Sequence, residues 1–502
     1  METFQYILIQ LFFCTFSLLC VLARAQHIEL YASGPKKAEW PAAYHIKNAV
    51  NDQSSWRSYI GEHFEIYSRP IRLKYAEVYY KFQEAIPLPD DVVRRFAGKQ
   101  MAITGYEVDT VRFDADGNEE SVPSYDAYNH HYVLFMKGSN WTDACVGFFC
   151  PPQDSITVSS LPHADAADTA KLAKATARLG DSPLDIQMFS EGNGNEYRGS
   201  FHGGPVGFAQ VINSPSRLQP FIHLINTRGG GGRGGVGSRL LPRESNAAPG
   251  ARYSGLIECP CTTRRRFDLE NNTIDGNPPE IAFNCRNEIA AQRNPSCSLA
   301  TYRGGLRCCS HRMTLLDEDQ PDAPGEDEFF FKMRFWFEEA GAGTRNLFRL
   351  LWMTEDRNNE YDIPACKPTS PECVHTLVSH FTVAEMCETW GCGNAPVPEE
   401  GFALVYAAAH FHVGGISMEL INADTGEQLC FNEATYGSGD EPRNEEGYLT
   451  AIAPCLWSDT EEGLADPPRL FKQTRLTTIA KYSTKSARYG AMALWQMRGA
   501  YI

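Results

Sequence analysis

Short runs of alternating or continuously apolar residues, separated by turn residues, recur along the whole chain and predict many short β-strands. The stretch 100–113 alternates through Met101, Ile103, Tyr106, Val108, Val111 and Phe113, then meets the hairpin signal Asp114-Ala115-Asp116-Gly117-Asn118. Residues 128–136, 221–226, 329–337, 347–353, 470–479 and 491–497 read as further strands. The clearest run is Phe402–Ala409, apolar throughout and followed by His410, Phe411 and His412. A break at Gly414-Gly415, a second strand and a turn at Asp424-Thr425-Gly426 complete it. Residues 165–179, rich in Ala and Lys, are the best helix candidate in the first half. This density of strands and turns predicts an all-β chain of two jelly-roll type β-sandwich domains, 26–250 and 251–502, with disulfide-rich loops. A cysteine-rich lead-in, 259–309, opens the second domain.

Composition narrows the partners and the compartment. The 502 residues carry a formal net charge of -16, which argues against nucleic acid and against an anionic membrane surface. Residues 6–22 form an apolar core followed by Ala23-Arg24-Ala25, so residues 1–25 read as a secretory signal peptide; an uncleaved anchor is the alternative. No later segment is long and apolar enough to span a membrane. Of 16 cysteines, Cys14 and Cys20 leave with the signal, and the even remainder in an exported chain predicts a disulfide framework. Cys430 and Cys455 flank the loop after the His-x-His hairpin and are expected to pair; so are Cys145 with Cys150 and Cys387 with Cys392. Asn140 and Asn271 open glycosylation sequons. A secreted or endomembrane-lumen glycoprotein is the expectation.

The candidate chemistry lies in histidines that interrupt apolar strands. His410 and His412 are two residues apart, so on a strand their imidazoles emerge on one face, and neutral imidazoles suit copper, zinc, iron or nickel. His130 and His131 open a β-rich run, and His223 sits in the middle of another. Adjacent residues on a regular strand face opposite ways, so His130 and His131 can share a metal only if a bulge or strand-end twist intervenes. His202 sits in a Gly/Pro loop and is the first replacement should His223 face away. No Gly-x-Ser-x-Gly elbow is present, and the run 228–237 lacks the Lys of a phosphate-binding loop.

Taken together, His130-His131, His223, the pair His410 and His412, and the late Met492 resemble the ligand pattern of the type II copper, ascorbate-dependent monooxygenases of the peptidylglycine α-hydroxylating and dopamine β-monooxygenase type. The resemblance implies two copper ions, one held by His130, His131 and His223 and one by His410, His412 and Met492. It also implies ascorbate or a similar one-electron donor, dioxygen, and hydroxylation of a C–H bond of a small-molecule or peptide substrate, with His410, His412 and Met492 catalytic. The segments HHYVLF, IHLINTRG, YRGGLRCC, AAHFHVGGISMELINADTGEQLC and YGSGDEPRNEEGYLTAIAPC are similar to the plant stress up-regulated nodulin family. Two functions are therefore carried forward: an exported copper monooxygenase, and a non-catalytic secreted copper- or ligand-binding protein that keeps the fold.

Overall fold

The computed structural model describes residues 32–37, 43–59, 61–141, 184–191, 194–228, 241–247, 250–271, 294–354, 360–367, 369, 372–390, 392 and 397–502. The chain is an all-β sandwich fold with short helices between strands. The expected signal segment 1–25, the helix expected at 165–179, Cys145 and Cys150 lie outside the described residues.

A twelve-stranded sheet runs through the molecule. One half is built from Glu62–Tyr67, Asp327–Glu339, Gln100–Phe113 and Phe208–Asn213; the other from Arg345–Met353, Ala493–Tyr501 and Phe402–Phe411. The halves join at a short parallel pairing, Phe208 with Arg345 and Ala209 with Asn346. A five-stranded sheet containing Ala127–Gly138, Pro215–Asn226 and Val78–Phe82 covers the first half, and their facing side chains form one core with Phe64, Val108, Tyr132, Ile222 and Phe335. A second five-stranded sheet, with Arg475–Ser483 and Gly415–Asn422 in it, covers the other half over Leu404, Phe411, Met418, Leu476 and Trp495. Burial on both faces explains the unbroken apolar run of Phe402–Phe411, in which every residue is buried.

Sheet membership departs from the boundary expected at residue 250. The strand Asp327–Glu339 lies between Glu62–Tyr67 and Gln100–Phe113, in the first half of the large sheet. Its Phe329, Phe331, Met333, Phe335 and Phe337 fill that core, so the chain returns to the first sandwich before building the second. The cysteine-rich segment behaves likewise: Cys259 and Cys309 pack with Tyr80, Val133 and Phe221 on the outer face of the first five-stranded sheet. Disulfides join Cys259 to Cys309, Cys261 to Cys308, Cys366 to Cys373, Cys387 to Cys392 and Cys430 to Cys455. No helix among the described residues is long and apolar enough to cross a membrane.

Candidate metal centre

The first three histidines come from two paired strands. Across the sheet Tyr80, His223 and His131 stand in one register row. Cross-strand neighbours share a face, and here Nδ1 of His223 lies 3.1 Å from Nε2 of His131. His130 is brought to the same place by a bulge. Its strand passes from Asn129 to His131 while the partner strand passes only from Leu224 to His223, so His130 is the extra residue. The His130 ring consequently stacks on that of His223, centroids 4.2 Å apart at 17°. One nitrogen from each of His130, His131 and His223 can be chosen so that all lie within 4.8 Å of one another. Tyr80 lies against His223 on the other side at 4.4 Å.

The second pair ends the buried strand Phe402–Phe411. His410 and His412 have ring centroids 5.3 Å apart. The two groups expected to be separate are contiguous: His412 meets His130 edge to face at 5.0 Å. His130, His223, His410 and His412 are at most 3% exposed.

The electrostatics keep the rings of His130, His131, His223 and His412 neutral. Burial, then the neighbouring imidazoles, hold His130 well below the ordinary histidine range. Burial and then His131 and His412 do the same to His223, and burial and then His410 to His412. His131 is pushed down to about 3, again chiefly by burial. Neutral imidazole has one N–H and one lone pair, and leaving either unpaired inside a protein costs about 1–3 kcal/mol. Both nitrogens of His130, both of His412 and Nε2 of His410 are buried without a hydrogen-bond partner. Five unsatisfied nitrogens in one cluster fit a cation that accepts neutral nitrogen donors.

Met492 stands at the break between the strands Arg488–Ala491 and Ala493–Tyr501. His410 pairs with Leu494 and Phe411 with Ala493, so the register continued one step sets Met492 across from His412. A tyrosine hydroxyl occupies that step: the His412 N–H donates to Tyr482 Oη at 2.8 Å, and Tyr482 donates to the Met492 carbonyl. The Met492 side chain packs with Leu351, Met353 and Leu494, whereas Met497 lies in the core on the opposite face. His202 stands apart, stacked on Tyr106 and pushed down to about 4 by burial.

Residues without a sequence signal complete the surroundings. Glu196, from the short turn Asn195–Arg198, places Oε1 2.5 Å from Nδ1 of His410. Gly194 in the same segment donates to the His130 carbonyl at 3.0 Å, with φ of 74°. A Cβ there would meet the Glu196 carboxylate at 2.7 Å, so glycine lets the turn lie against both histidine groups. Sγ of Cys259 approaches Nε2 of His223 at 3.8 Å, but it is bonded to Cys309 and is not a thiolate donor. Asn140 is exposed and Asn271 ends the helix Thr263–Asn271; Thr142 of the first sequon and Asn272 and Thr273 of the second lie outside the described residues.

Residues 283–500 match the family model described as Stress up-regulated Nod 19. The matched segment contains His410, His412 and Met492 and leaves out His130, His131 and His223. It supports the nodulin-family resemblance for the C-terminal part of the chain. A search of curated proteins finds no match. Among solved structures, the 2.6 Å structure of Infectious Bursal Virus derived T=1 particles is 11% identical over 87% of this chain and 79% of that one; at a TM-score of 0.10 it carries no argument.

Proposed function

We propose that this is an exported copper-binding protein whose five histidines form one closed, water-excluding metal centre between the two sandwiches. The observation that supports it is the contiguous set of imidazoles, with the buried His130, His410 and His412 carrying unpartnered nitrogens. His130, His131 and His223 would hold copper on one side, and His410 and His412 on the other. The remaining groups orient these donors. Glu196 engages Nδ1 of His410 and leaves Nε2 free to ligate, the role an outer carboxylate plays behind a metal-bound imidazole. Tyr80 buttresses His223, and His311 in turn receives the Tyr80 N–H at 3.2 Å. Copper bound there would supply one-electron redox chemistry. The disulfides and the apolar leader support export, into the extracellular space or the endomembrane lumen.

A second reading, a monooxygenase that hydroxylates a C–H bond with dioxygen and ascorbate, draws on Met492. Its register opposite His412 is where a thioether donor would be needed, and soft sulfur beside imidazole favours Cu(I). Anaerobic copper titration followed by oxygen uptake with ascorbate over a substrate panel separates the two. Copper binding without ascorbate-dependent uptake supports the binding protein; uptake coupled to a hydroxylated product supports the enzyme.

A further inference from the structure

We infer that Glu360 is a metal donor of this centre, forming with His130 and His412 a two-imidazole, one-carboxylate set that selects oxidised over reduced copper. The inference rests on the reading of the imidazoles as a metal centre and adds a ligand that the histidine and methionine pattern does not contain.

One donor atom from each of His130, Glu360 and His412 can be chosen so that all three lie within 4.8 Å of one another. Glu360 precedes the short strand Tyr361–Ile363 and is 4% exposed. Its Oε2 accepts from the Leu306 N–H, while Oε1 is buried without a hydrogen-bond partner. The charged groups that act on it are two further carboxylates, Glu258 and Asp362. Those two have cations of their own nearby, Arg488 and Arg303 respectively. A buried carboxylate is tolerated when it is paired, protonated or bound to a metal, and the unpartnered imidazole nitrogens of His130 and His412 point to the metal.

The backbone is shaped around this side chain. Gly305 and Gly490 both have positive φ, 113° and 59°. A Cβ on Gly305 would lie 2.4 Å from Oε2 of Glu360, and one on Gly490 would lie 3.2 Å from it and 2.5 Å from the Gly305 Cα. Two glycines thus clear a slot that holds the carboxylate, and Gly490 sits two residues before Met492. Carboxylate oxygen is a hard donor and thioether sulfur a soft one, so Glu360 favours Cu(II) and Met492 favours Cu(I).

The test compares the full-length mature protein with Glu360→Gln, which keeps the volume and an acceptor for Leu306. Cu(II) and Cu(I) affinities are measured separately by chelator competition, with circular dichroism and melting of the metal-free proteins as the folding control. The expected result is Cu(II) binding weakened roughly tenfold or more and Cu(I) binding changed by less than about threefold. Equal Cu(II) affinity in the two proteins overturns the inference and leaves the histidine centre standing. Absence of copper binding by the unsubstituted protein overturns both. Should Glu360→Gln fail to fold, infrared difference spectra of the unsubstituted protein on Cu(II) addition decide: a carboxyl band that changes supports the inference, and its absence overturns it.

Discussion

The imidazoles of His130 and His412, 282 positions apart in the chain, meet with ring centroids 5.0 Å apart. The contact makes contiguous two histidine groups expected to be separate. Copper bound at one group would alter the field and solvation at the other. His412→Ala is therefore expected to weaken copper binding by the His130, His131 and His223 group as well as its own. Isothermal titration with Cu(II), resolving the number and affinity of binding events, checks this; one binding event left unaltered in affinity would show independent sites.

Met492→Ile keeps the apolar volume of the pocket beside Leu351 and Leu494 and is expected to cost less than about 1.5 kcal/mol in stability. Cu(I) binding should fall roughly tenfold or more, as for loss of an important metal contact. Met497→Ile, on the opposite face, should leave Cu(I) binding unchanged. Cu(I) chelator competition on both variants gives the comparison, and equal affinities would assign Met492 to packing alone.

The Cys430–Cys455 bond closes a 25-residue separation beside the histidine strand. Asn432 between them accepts the Ala409 N–H at 2.7 Å and donates to the Ala453 carbonyl at 2.8 Å, which pins the strand one residue before His410. Replacing both cysteines with Ala should destabilise the protein by about 3–4 kcal/mol through the freed unfolded chain. Denaturant melts at fixed pH measure it, and a loss below about 1 kcal/mol would mean that the bridge does not constrain this region.

Glu258 gives the pH signature. Burial raises its carboxyl from 4.5 to about 7, against the opposing pull of Arg488. A folded value above the unfolded one means that its contribution to stability is complete below about 4.5 and is lost as pH rises through about 7. Glu258→Gln should therefore gain stability relative to the unsubstituted protein between pH 5 and 8, by on the order of 2 kcal/mol. Urea unfolding at the two pH values tests the sign; a variant whose deficit or advantage does not move with pH would remove the buried charge from the account.

Strand content was legible because period-two alternation and continuous apolar runs report burial of one face or of both. The 402–411 strand is the clear instance. The convergence of His130 with His131 was legible only as a condition, since a bulge is a property of two strands in register and not of one run. Sheet membership was less accessible: the aromatic run 329–337 reads as a strand, but nothing within it says that its partners begin at Glu62 and Gln100. Glu196 and Glu360 were invisible because they stand in a turn and a strand lead-in with no periodicity, and reach the histidines across 214 residues from Glu196 to His410 and 52 from Glu360 to His412. Cys259 and Cys309 were legible as disulfide cysteines, while their packing against the His223 sheet depends on tertiary contact alone.

Five clustered imidazoles, four of them buried, are assigned to a copper centre. Anaerobic competition of the metal-free protein with a Cu(I) chelator, read out as copper bound per chain, is the deciding measurement. The protein is expected to withdraw copper from the chelator, and replacing His130 and His412 together with Ala should abolish this. A protein that leaves all copper with the chelator, or binds it equally well without His130 and His412, would contradict it.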